Sequence, residues 1–248
     1  MTETIRPIQT IIEPQQVIEG AGVRLLRSFG PSPANQFDPF LLFDHFAFND
    51  PIEGPIMGFP KHPHRGIETV TYMLEGNVRH RDSLGNMGII GPGDVQWMTS
   101  GRGILHEEMP KRGESGLVNG FQLWVNLPAK LKMTTPRYQE VQADTIPVGQ
   151  QDGVSVRVVA GAYAGVDGPV TEIAARPLYM DVTLQAGAQF ALEIPEDYSV
   201  FAYLFEGAGQ FGADKEAQSV EAINMLIFGA GDSFFAETNQ GMRFLLMA

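Results

Sequence analysis

Two of the chain's five histidines, His62 and His64, stand two residues apart in the stretch FPKHPHRGIETVTYMLEG, residues 59–76. On a strand, residues i and i+2 project from one face, so both imidazoles point into the same space. Glu68 shares their parity if the strand runs on regularly, and Gly66 is the place where it could break. Further along, GRGILHEEMP presents His106 and Glu108 as a second i, i+2 pair, with Glu107 at the opposite parity. Two such pairs on facing strands would bring three imidazoles and a carboxylate to one point inside a barrel. Nitrogen and oxygen donors of that kind suit a first-row transition metal with positions left open for substrate or dioxygen. A lone histidine is usually a satisfied core or surface residue. Two paired sets, with no histidine after position 106, favour the metal.

Such a site needs strands to hold it. The 248 residues are 44% hydrophobic and 19% charged, which is globular composition with enough apolar material for one large core or two smaller ones. The 28 glycines and 17 prolines punctuate short runs rich in Val, Ile, Phe, Tyr and Thr. Runs of that kind, bounded by turn residues, read as antiparallel strands, and the expected fold class is all-β. A net charge of −12 opposes general binding to phosphate backbones, so no nucleic-acid partner is expected. No apolar run is long enough for a membrane span, and MTETIRPIQT lacks the pattern of a secretory leader, so a cytoplasmic protein is the expectation. With no cysteine, disulfides, thiolate ligands and a thiol nucleophile are all excluded.

The chain also repeats itself. Tyr72-Met73-Leu74-Glu75-Gly76 is echoed by Tyr203-Leu204-Phe205-Glu206-Gly207, and Gly91-Pro92-Gly93-Asp94 by Gly229-Ala230-Gly231-Asp232. The shared order suggests two related β-domains, with the extra length of the second copy in the loop between Gly212 and Asn224. A boundary in AKLKMTTPRY gives an N-terminal metal-binding domain at 1–135 and a C-terminal domain at 136–248. Aligned on these echoes, His62 and His64 fall opposite Glu193 and Pro195, and His106 and Glu108 opposite Phe244 and Leu246. One domain is expected to bind metal and the other to lack the ligands.

With HPHRGIETVTYMLEG, GPGDVQWMTSGRGILHEEMP and FQLWVNLP on the page, the sequence closely resembles the pirin family, most densely over Phe37 to Tyr138. The resemblance implies two tandem cupin barrels (double-stranded β-helix or jelly-roll) with a single metal in the N-terminal one. Carried over residue by residue, it implies His62, His64, His106 and Glu108 as metal ligands. Glu68 is the rival fourth ligand by the general cupin pattern; with Glu108 in place it becomes an outer group bonding a ligand or water. The implied cofactor is one divalent transition metal, iron(II) foremost, with Mn, Ni, Co, Cu or Zn able to use the same donors. Bacterial members imply a quercetin 2,3-dioxygenase-like activity, in which the partners are a small aromatic substrate and dioxygen and Glu108 is the catalytic base. The alternative implied by eukaryotic members is an iron-binding, redox-sensitive regulator of a protein partner, which nothing else in the chain advertises.

Gly101 and Gly103 are candidates for close backbone approach at the mouth of the site, and Phe59, Trp97 and Met98 for its apolar wall. Asp44 and His45 are expected to be structural, and Arg79-His80-Arg81 to be a solvated turn. The GxGxxG match at Gly207–Gly212 lacks the crossover helix that a dinucleotide site requires.

Overall fold

A computed structural model of the chain describes residues 4–33, 35–47, 56, 58–173, 176–213 and 216–248. The chain divides into two compact units, residues 15–145 and residues 1–14 with 146–248. The division therefore lies ten residues beyond the boundary read from the sequence, and the first fourteen residues belong with the C-terminal half. That opening segment carries β1 (Ile8–Ile12).

The N-terminal unit holds β2 (Gln15–Glu19), β3 (Val23–Phe29), β4 (Phe40–His45), β5 (Phe59–His64), β6 (Ile67–Glu75) and β7 (Asn77–Asp82). It continues with β8 (Met87–Ile90), β9 (Val95–Thr99), β10 (Ile104–Lys111), β11 (Asn119–Asn126) and β12 (Arg137–Val141). Seven of these make one antiparallel sheet in the order β12-β9-β6-β11-β4-β3-β2, and a smaller sheet runs β5-β10-β7-β8. β6, at the middle of the larger sheet, is buried on both faces for most of its length, which is why its sequence IETVTYMLE lacks a clean polar side. Between the sheets lie Val23, Leu25, Phe46, Met73, Val78, Ile90 and Val118, packed as one apolar cluster.

The C-terminal unit adds to β1 the strands β13 (Val148–Gln151), β14 (Val154–Ala160), β15 (Ala162–Tyr163), β16 (Val166–Asp167), β17 (Tyr179–Leu184) and β18 (Gln189–Glu193). Its remaining strands are β19 (Phe201–Phe211), β20 (Gln218–Glu221), β21 (Asn224–Phe228), β22 (Ser233–Glu237) and β23 (Met242–Met247). Its main sheet runs β1-β21-β19-β23-β17-β14-β13, and β22 joins β18 to the far end of β19, which also pairs with β20. Position by position this is the order of the N-terminal unit. β19 stands where β6 stands, and β1 fills the edge that β12 fills in the other unit. The chain is all-β with two barrels in tandem, as the sequence led one to expect.

The first echo marks a true counterpart. Gly76 and Gly207 both have positive φ, +73° and +74°, at the point where the chain leaves the larger sheet for the smaller. A Cβ on Gly76 would meet the Lys111 carbonyl, and one on Gly207 the Gly241 carbonyl, so neither position accepts a side chain. The second echo does not mark one. Gly91–Asp94 precedes β9, whereas Gly229–Asp232 follows β21, the strand in β9's place, so it is the turn Ser100–Gly103 that it replaces. The residues opposite the histidine strands are consequently not Phe244 and Leu246, which lie on β23, nor Pro195, which lies outside the strands. β18 and β22 occupy the places of β5 and β10, and their buried residues Phe190, Phe234 and Ala236 belong to one apolar cluster.

β1 is held by more than its ladder with β21. Just ahead of it, the buried guanidinium of Arg6 donates to the carbonyls of Tyr198, Ile194, Pro195 and Gly229. Replacing Arg6 leaves those acceptors buried without a donor, at about 1–3 kcal/mol for each one that water cannot reach. Arg6→Ala should therefore lower the urea midpoint of unfolding clearly, and Arg6→Lys should recover only part of it because an ammonium cannot span the same fan of carbonyls. Equal midpoints for wild type and Arg6→Ala would show that β1 is docked without this anchor.

Candidate metal centre

β5 and β10 pair antiparallel, with His62 directly opposite His106 and His64 opposite Ile104. The register shifts between His106 and Glu108, which stands opposite Phe59, so β5 carries an extra residue there. On β10, His106 and Glu108 face inward together, as period two requires. The outcome is one cluster. The ring centroids of His62, His64 and His106 are separated by 4.8, 4.4 and 4.8 Å. Their inward nitrogens all lie within 4.8 Å of one another. The Nε2 atoms of His62 and His106 are 2.9 Å apart, and Glu108 Oε2 is 3.9 Å from His106 Nε2.

Protonation follows from burial. His64 and His106 are buried and are pushed down to about 3, by desolvation first and then by the neighbouring imidazoles. Both rings are therefore neutral near pH 7, with lone pairs to offer. His62 Nδ1 is 2.9 Å from the Pro60 carbonyl, which can only accept, so the ring proton sits there and Nε2 is left bare toward His106. Burial pushes the Glu108 carboxyl up, and the charges of His62 and His80 and the Thr71 hydroxyl pull it back. Three imidazoles converging in this way, two of them held neutral by burial, form a group that could hold a transition metal, and a carboxylate stands beside them.

The cluster opens onto a pocket whose walls are mostly apolar, among them Leu25, Leu42, Phe46, Phe59, Val118 and Trp124. Trp124 packs edge-on against His64, ring centroids 5.0 Å apart. Polar groups enter from the inner face of the larger sheet, where Asp44, Gln122 and Thr71 lie side by side on β4, β11 and β6. Asp44 is clamped by Arg27 through two 2.8 Å contacts, and Arg27 also reaches Glu19 at 2.7 Å. Thr71 Oγ1 is 2.8 Å from Gln122 Oε1 and 3.4 Å from Glu108 Oε1.

Glu68 is not part of this arrangement. The chain turns at Gly66, with φ at +70°, and leaves the small sheet for the large one, so parity does not carry over from His64. Glu68 shares its face of β6 with Val70 and Tyr72, away from Thr71. There its carboxylate accepts from Thr99 Oγ1 at 2.7 Å and Trp97 Nε1 at 3.1 Å. The outer role read for Glu68 is replaced by a buried tie between β6 and β9. Trp97 goes with it, Met98 is buried but does not line the pocket, and of the three wall candidates Phe59 alone does. Gly101 is needed because a Cβ there would run into the Thr134 carbonyl, and neither it nor Gly103 lines the pocket. His45 is structural, bonded to Asn119 at 3.0 Å and pushed down to about 4 by burial, whereas its neighbour Asp44 faces the pocket.

One residue contradicts its sequence reading outright. His80 has no exposed surface and lies in the middle of β7, with its ring 5.3 Å from that of His106. Arg79 and Arg81 point out to solvent while Val78 and His80 point in. NVRHRD was legible as this alternation, a third i, i+2 pair made of His80 and Asp82, and the two arginines masked it.

Known proteins place the chain. The family models described as "Pirin" and "Pirin C-terminal cupin domain" match residues 22–125 and 179–248. A pirin-like protein of Caulobacter vibrioides is 46% identical over 98% of this chain and 87% of its own length. Human pirin is 42% identical over 93% of this chain and 78% of its own. Among solved structures, that of quercetin 2,3-dioxygenase from Acinetobacter baumannii superposes with a TM-score of 0.86 at 33% identity, covering 98% of this chain and 86% of the other. This chain belongs to the pirin family of two-domain cupin proteins.

Proposed function

We propose that the N-terminal unit is a metal-dependent dioxygenase site for small aromatic substrates of the flavonol type, with quercetin as the first substrate to test. The proposal assigns His62, His64, His106 and Glu108 as the ligands of one iron(II). The observation that carries it is the set of three converging imidazoles and a carboxylate at the end of an apolar pocket. Likeness to the Acinetobacter dioxygenase supports the choice of reaction.

When bound, such a metal supplies Lewis acidity toward a substrate oxygen and a path for electrons between an organic anion and dioxygen. The rest falls to the chain. The apolar walls take up the aromatic rings and exclude water, which strengthens every charge interaction inside. Glu108 receives the proton of the substrate hydroxyl, and burial favours this by raising its proton affinity. Thr71 has a single hydrogen, so it can donate to Glu108 or to Gln122 but not to both. With Glu108 ionised, Thr71 donates to it and the Gln122 amide turns its NH2 toward Thr71. Asp44 and Arg27 form the polar limit of the pocket, and a distal hydroxyl of the substrate would meet them.

Metal analysis of purified protein, with an assay of oxygen-dependent loss of quercetin absorbance, tests the assignment directly. Wild type should hold one metal per chain. His62→Ala and Glu108→Ala should lose both metal and turnover, while Glu68→Gln should keep both and melt earlier. Metal without turnover in the wild type would refute the dioxygenase reading, and a wild type that takes up no iron would refute the ligand set. Thr71→Val keeps the shape of the side chain and removes its hydroxyl. It should retain the metal and lower kcat by roughly tenfold, the lower end of what is usual for loss of an outer hydrogen bond. An unchanged kcat would mean that Glu108 is oriented without Thr71.

A further inference from the structure

Among the described residues, three buried nitrogens beside the cluster have no hydrogen-bond partner: Nδ1 of His106 and both ring nitrogens of His80. Leaving a buried polar atom unpaired costs about 1–3 kcal/mol, so an interior histidine with two such atoms demands a physical reason. The sheet order supplies one. β10 lies between β5, which carries His62, and β7, which carries His80. His106 is thus flanked by one imidazole on each side. Its Nε2 faces His62 at 2.9 Å, which leaves Nδ1 on the other edge of the ring.

An imidazole that offers Nε2 to a cation carries its proton on Nδ1, and that N–H needs an acceptor to hold the ring in place. His62 has the Pro60 carbonyl for this purpose. His106 has no such partner among the described residues, and the His80 ring lies 5.3 Å away, inclined by 59°. Tyr138 also packs against His80, with ring centroids 4.9 Å apart, so His80 contacts both rings. Its surroundings are polar as well: Asp82 stands opposite His106 across the β10–β7 ladder, and Glu108 stands opposite His80 itself. These polar groups could complete the hydrogen bonds of a water placed between the two rings.

We propose that His80 is a positioning residue for His106, accepting its Nδ1–H across one bridging water and so fixing the tautomer that turns Nε2 into the cluster. The inference rests on reading the three histidines as metal donors. It adds that the site extends to β7, a strand that contributes no ligand.

The test uses the full chain with His80→Phe, which fills the space and removes both nitrogens, and His80→Gln, which restores a donor and an acceptor. Three quantities are measured: the melting temperature of metal-free protein, the Kd for cobalt(II), and the visible ligand-field spectrum of the cobalt complex. Metal-free His80→Phe should melt close to wild type or slightly below it, because the apolar ring keeps the volume filled but leaves His106 Nδ1 buried without its partner. Its cobalt Kd should nevertheless rise roughly 10- to 100-fold, the range for loss of an outer partner to a ligating histidine, with a shifted spectrum. His80→Gln should recover most of the affinity. Cobalt binding by His80→Phe within twofold of wild type and with the same spectrum would overturn the proposal. So would a loss of affinity that merely parallels a lower metal-free melting temperature and is not rescued by Gln. Absence of cobalt binding in the wild type would instead remove the metal reading, and this inference with it.

Discussion

Everything distinctive in the N-terminal unit depends on one pairing, that of β5 with β10, which sets His62 directly opposite His106. An imidazole is a useful donor only when it is neutral and aimed. Burial between the sheets secures the first condition for His64 and His106, both pushed far below their ordinary range. Strand pairing secures the second, because backbone hydrogen bonds on both sides of β10 hold the ring-bearing Cα atoms in a fixed grid. The cost is a polar cluster inside a small sheet, and the unit meets it by keeping the surrounding pocket apolar and by pairing most of the polar side chains that enter it. Arg27 with Asp44, and Thr71 with Gln122, are examples.

The C-terminal unit shows what the same strand order does without that demand. Where β5 and β10 carry histidines and a glutamate, β18 and β22 carry Phe190, Phe234 and Ala236. Four phenylalanines there, at 190, 211, 234 and 244, have ring centroids within about 6 Å of their neighbours. Aromatic rings therefore fill the part of that unit's interior that corresponds to the histidine cluster. The same strand order thus closes around apolar side chains in one unit and around histidines in the other, so the fold itself does not call for them, which favours a role in chemistry over a role in folding.

The strand content, the duplication and the approach of His62, His64, His106 and Glu108 could be read from the chain because each depends on a local period. Period two places i and i+2 on one face whatever the strand's partner. The same reasoning failed at Glu68 because it was carried across Gly66, where a positive φ moves the chain from one sheet to the other and resets the parity. It failed at His80 for the opposite reason, since the period was intact and two flanking arginines drew attention to the solvent side. β1 was beyond reach altogether. A five-residue strand with one fully buried position carries almost no record of its partner, and its place at the edge of the C-terminal sheet is set by β21 and by Arg6, some two hundred residues apart in sequence from the carbonyls it holds.

The pocket places a constraint on any account of what this protein does. Glu108 is reached by Thr71, Thr71 by Gln122, and Gln122 lies beside Asp44, so one polar row crosses the floor from the histidines to the Arg27 clamp. Adjacent strands are about 4.8 Å apart, so the two strand steps from Thr71 to Asp44 span roughly 10 Å. A ligand in this space meets apolar walls on its faces and polar side chains along one floor. Apolar walls with a single polar floor are the lining that an aromatic substrate of the proposed kind would need, independently of any likeness between sequences.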